Sequence, residues 1–122
     1  MEKYLDIIKR TIQLSETCLE GLEYTKEKLN EGQFEQTIPL MNDSVIAFLQ
    51  MEKSLQPIFP TFNSNHNESL THSLQDAFDH AVTAYELGQR GKVLEVFQFT
   101  LLPNYKKWKD EIEKAFHTFV VS

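Results

Sequence analysis

Between Lys92 and Ser122 one row of large side chains recurs at helical spacing: Leu94, Phe97, Leu101, Tyr105, Trp108, Ile112, Phe116 and Phe119. The steps are 3, 4, 4, 3, 4, 4 and 3. An α-helix turns once every ~3.6 residues, so side chains spaced this way share one face. A face this aromatic must be covered. The segment is therefore expected to be a spine against which other amphipathic helices pack.

Three earlier segments supply them. Over Glu2 to Glu31, the residues Leu5, Ile8, Ile12, Ser15, Leu19, Leu22, Lys26 and Leu29 alternate steps of 3 and 4. Ile7, Leu14 and Cys18 widen that seam into the stripe of a bundle helix. Gly32 is placed for a left-handed cap. A second helix over about 33–56 has Phe34, Ile38, Met41, Val45, Phe48 and Leu55 as its expected buried row, with Leu40, Ile46 and Leu49 beside it. Pro39 predicts a kink there or a true start near Thr37, because proline lacks an amide donor and crowds the preceding turn. Pro57 to Phe62 and the polar Asn63–Asn67 end it. A third helix over about 67–89 carries Leu70, Leu74, Ala77, Ala81 and Ala84, and Gly88 and Gly91 separate it from the spine.

The whole reads as one all-α domain over 1–122, with helices about 2–31, 33–56, 67–89 and 92–120. Short connections within each half make two helical hairpins, and together an up-down-up-down four-helix bundle. Proline kinks are expected in the second and fourth helices, at Pro39 and Pro103. No segment alternates with period two, so strand is not expected.

Composition narrows the function classes. A net charge of −6 and only two arginines, Arg10 and Arg90, argue against nucleic acid and anionic membrane as partners, since both bind basic surfaces. No apolar run approaches the ~20 residues of a membrane span, and no signal peptide is visible after Met1. The single cysteine, Cys18, falls on an apolar face and reads as a buried thiol. A reducing, cytoplasmic setting is the expectation.

Candidate chemistry is thin. His72, Asp76 and His80 stand at i, i+4 and i+8 and are competent zinc or iron ligand types. Within one helix they span an arc of about 80°, so another helix would have to complete the set. Glu20-x2-Glu23 and Asp76-x2-Asp79 resemble the magnesium-binding carboxylates of all-α nucleotide pyrophosphohydrolases, although no lysine and arginine set accompanies them. Glu-x-x-His pairs, a nucleophile elbow and phosphate-cradling glycine loops are all absent from the sequence. Tyr105 and Trp108 read as core, and Asn104 is placed to satisfy a carbonyl freed by Pro103. No cofactor is expected.

Ile58, Phe59 and Phe62 sit in the central linker and Phe119 near the C-terminal end. They read either as plugs for the bundle or as an exposed apolar patch for a partner.

Leu101-Leu102-Pro103-x-Tyr105-x2-Trp108, with Met41-Asn42-Asp43-Ser44-Val45-Ile46-Ala47, resembles small all-α proteins of Bacillus-like bacteria to which no activity is attached. In size, acidity and layout the chain is also similar to helical flagellar export chaperones. The resemblances imply no activity; nine Phe, four Tyr and one Trp in so short a chain point to a non-enzymatic cytoplasmic adaptor or chaperone that binds another protein, or itself as a homodimer. The alternative is a metal-dependent enzyme built on His72, Asp76 and His80 or on the carboxylate pairs.

Overall fold

The computed structural model describes residues 2–62 and 65–121, with side chains described for 4–60 and 67–117. In chain order the elements are α1 (Glu2–Asn30), α2 (Phe34–Leu55), α3 (Phe59–Phe62), α4 (Asn65–Glu86), α5 (Arg90–Val96), a π-helical turn (Phe97–Leu101) and α6 (Leu102–Val121). No strand occurs among the described residues. The four long arms form an all-α four-helix bundle, α5 and α6 together making the fourth. Helix α1 lies between α2 and α6, and α4 between α6 and α2, so α1 and α4 stand across the diagonal.

Both hairpins close with the same device. The Gln33 amide donates to the Lys28 carbonyl at 3.0 Å and the Gly32 amide to the Leu29 carbonyl at 3.1 Å. In the second hairpin Gln89 donates to Ala84 at 3.0 Å and Gly88 to Tyr85 at 3.0 Å. This is the Schellman pattern, which needs a left-handed residue at its centre. Gly32 (φ 79°) and Gly88 (φ 66°) provide it.

The spine is not one continuous α-helix. Its predicted row holds from Phe97 onward, where Phe97, Leu101, Tyr105, Trp108, Ile112 and Phe116 are all buried. Ahead of Phe97, Val93 and Val96 are buried while Leu94 is only partly so. The π turn is the reason: its i→i+5 bonding, with the Leu102 amide reaching the Phe97 carbonyl, inserts an extra residue and shifts the phase. Pro103 follows directly, and the Asn104 side-chain amide donates to the Thr100 carbonyl at 2.7 Å.

Helix α2 runs Phe34–Leu55, close to the expected 33–56, and carries Pro39 inside it, so the alternative start near Thr37 does not occur. Its buried row is also different from the expected one. Phe34, Thr37, Met41, Ser44, Phe48, Met51 and Leu55 face inward, with Thr37 and Ser44 in the places expected for Ile38 and Val45. Each small polar residue has a reason to be there. The Thr37 hydroxyl donates to the Phe34 carbonyl at 2.6 Å and lies 2.8 Å from the Tyr85 hydroxyl. Ser44 sits against Gly21, which brings α1 close.

Two lysines of α6 reach across to α1. Lys109, with only 11% of its side chain exposed, reaches Glu16 of α1 at 2.7 Å as well as Glu113. Lys106 lies 3.8 Å from Glu23 of α1. These pairs staple α6 to α1 across their shared edge.

Candidate functional site

Ile58 and Phe59 plug one end of the bundle. Just past α2 the Ile58 amide bonds back to the Leu55 carbonyl at 2.9 Å, turning the chain over the end of the bundle. Ile58 and Phe59 are 0% and 6% exposed. The expectation that they form an open patch for a partner is therefore corrected: covering the end of the core removes them from the surface. The side chains of Phe62 and Phe119 lie outside the described residues.

The His72–Asp76–His80 candidate is corrected as well. All three are exposed on the outer side of α4. Eight residues of helix turn the two imidazoles away from each other by about 80°. His72 opens into a cleft of about 210 Å³ shared with Glu52, Glu68 and Gln75 of the α2–α4 edge, whereas His80 opens toward Lys92 and Thr100 beside α5. Among the described residues no three His, Cys, Asp or Glu side chains converge to hold a metal ion. The carboxylate pairs fare no better. Glu20 and Glu23 belong to α1 and Asp76 and Asp79 to α4, across the bundle diagonal, and Lys106 lies beside Glu23.

The reactive side chains are committed to packing. Burial pushes the Cys18 thiol above its ordinary value, which keeps it protonated and inert. The Tyr105 hydroxyl donates to the Ser15 carbonyl at 2.8 Å, and burial followed by the neighbouring Cys18 holds its phenol far above the usual range. Trp108 is fully buried, edge-on to Phe48 with ring centroids 5.6 Å apart.

What remains is the outer side of α2. Ile38, Ile46 and Leu49 are 40%, 55% and 52% exposed, and Val45 is half-buried beside them. With Glu35, Asn42 and Lys53 they occupy positions 35, 38, 42, 46, 49 and 53, steps of 3 or 4 that trace a second stripe roughly opposite the buried one. Helix α2 packs mainly on α1 and meets α4 sparingly, through the stacked pairs Phe48–Phe78 and Phe34–Tyr85. Those rings fill the interior and leave the stripe uncovered. Tyr24, Leu87 and Phe99 are also exposed, but they lie apart, on α1, in the turn after α4 and in the π turn. Single exposed apolar residues are ordinary; three aligned on one helix are not. The sequence carried a signal for this face: α2 has two apolar rows, and only one can point inward.

No helix among the described residues is long and apolar enough to cross a membrane. A family model with the description Domain of unknown function (DUF8042) matches residues 6–111. No curated protein and no solved structure matches the chain.

Proposed function

The chain belongs to the DUF8042 family of unknown function, and from that premise we propose that it is a non-enzymatic protein-interaction module, an adaptor- or chaperone-like bundle acting in the cytoplasm. Its docking surface is the outer stripe of α2. One observation carries this reading: Ile38, Ile46 and Leu49 are exposed in line on a single helix, where a helix closing a self-sufficient bundle carries polar residues. A rigid apolar helix face of this kind suits a second helix laid alongside it. The likeness in size and layout to flagellar export chaperones agrees with that use, and the acidic surface turns away nucleic acid.

The test compares the tagged native chain with Ile46→Asp and Leu49→Asp in capture from the cell of origin. The expected result is one chain held by the native protein, lost from both variants, and bound again when both components are pure. Retention that is indifferent to both substitutions would overturn the reading.

A further inference from the structure

We propose that the occupant of the α2 face is a second copy of this chain, its α2 running antiparallel to the first about a two-fold axis near Asp43 and Ser44. This deepens the reading above and rests on it. The argument is self-complementarity. Glu35 stands near the start of the stripe and Lys53 near its end, with Ile38, Asn42, Ile46 and Leu49 between them. A two-fold axis at the midpoint brings Glu35 to the second copy's Lys53 and Ile38 to the second copy's Leu49. Asn42 then meets the second copy's Ile46. An isologous interface demands that one patch match itself in this way. A parallel pairing would instead set Glu35 against Glu35 and Lys53 against Lys53, which repels.

Two further features fit. Glu35 gives its Oε1 to Arg90 in its own chain, and a carboxylate has a second oxygen able to accept from the second copy's ammonium. Asn42, the polar residue of the stripe nearest the axis, comes close to its own symmetry mate. A lone asparagine in an apolar helix seam sets register and orientation. Helix α2 has 22 residues and is about 33 Å long. One helix face of that length covers less than the ~800 Å² per partner of a standard interface. The dimer is therefore a weak one, assembling at roughly micromolar concentrations.

Sedimentation equilibrium from about 1 to 500 μM, bracketing that affinity, should show the native chain passing from monomer to dimer. Ile46→Asp should stay monomeric with its helical circular dichroism intact, and Lys53→Glu should weaken the dimer several-fold. In a Cys18→Ala background, Asn42→Cys should be joined by a short bismaleimide, because residues 42 of the two copies are offset by only about 6 Å along the helix direction. Lys53→Cys should not be joined, since residues 53 lie about 27 Å apart. A native chain that is monomeric throughout overturns the proposal. So does a dimer that survives Ile46→Asp, or cross-linking at 53 as efficient as at 42. If the native chain is monomeric while a captured protein is still lost on Ile46→Asp, only the self-pairing fails. If capture too ignores Ile46→Asp, the α2 reading fails with it.

Discussion

The Trp108 indole nitrogen donates to the Thr71 hydroxyl at 3.0 Å, and that hydroxyl donates on to the Asn67 carbonyl at 2.7 Å. The two residues belong to α6 and α4 and meet in the buried interior. Trp108 also touches Phe48, which stacks on Phe78 at 4.8 Å. One side chain thus ties three arms of the bundle together.

Breaking that tie should be costly. Trp108→Phe removes both ring volume and a donor and should lower unfolding free energy by about 2–4 kcal/mol. Thr71→Val keeps the shape but leaves the indole N–H unpaired, at a cost of about 1–3 kcal/mol. Thr71→Ser should stay close to the native value. Urea unfolding followed by circular dichroism measures all three, and equal stability of the Val and Ser variants would refute the hydrogen-bond account.

The two hairpin turns make a matched pair. Gly32→Ala and Gly88→Ala place a Cβ in the left-handed region, where it costs about 1–2 kcal/mol. No atom crowds either added Cβ within 4 Å, so the loss should come from the backbone alone. Gly32→Asn and Gly88→Asn should recover part of it, because asparagine tolerates that conformation. Thermal melts of the four variants check this.

Stability should fall in alkali. Burial raises the pKa of both the Cys18 thiol and the Tyr105 phenol, so the folded state holds these protons more tightly than the unfolded chain does. Their contribution is complete below the ordinary values of 9.0 and 10.0. It declines as pH rises past them toward the raised folded values. Unfolding free energy measured from pH 8 to 11 should drop across that window, and less so in a Cys18→Ala, Tyr105→Phe double variant. Cys18 should react with a thiol reagent at the rate of unfolding, not at that of a free thiol.

The α2 stripe should be nearly silent for monomer stability. Ile46→Asp and Leu49→Asp change exposed side chains and should shift unfolding free energy by no more than about 0.5 kcal/mol when measured in dilute monomer. Ile58→Asp, by contrast, puts a charge into the plug at the end of the core and should unfold the chain. A stability loss at Ile46 comparable to that at Ile58 would mean the stripe is part of the core.

The sequence announced the helices through their period, and the spine row from Phe97 to Phe116 through its aromatic side chains. It was misleading where size and position disagree. Thr37 and Ser44 are small and polar, yet they take the seam of α2 because one is hydrogen-bonded to Tyr85 and the other allows contact with Gly21. Choosing the larger Ile38 and Val45 for the core concealed the face that is exposed. Ile58 and Phe59 could be read as a plug or as a patch, because their burial depends on how sharply the chain turns after Leu55. The His72–His80 spacing was visible, but where each imidazole points depends on the neighbouring helices, which local spacing does not encode.

The π turn between α5 and α6 acts as a one-residue gear. Deleting a single residue within Phe97–Leu101 would return the segment to ordinary α-helix with Val93 still facing inward, because the π turn holds one residue more than that helix needs. Closing the π turn with every residue retained would instead turn α5 by about 100° relative to α6, swinging Leu94 inward and Val93 outward. Helix α5 carries Arg90, whose guanidinium pairs with Glu35 at the head of the α2 stripe. Closing the π turn at constant chain length would thus reset the charge at the edge of the α2 surface, with no residue of that surface altered.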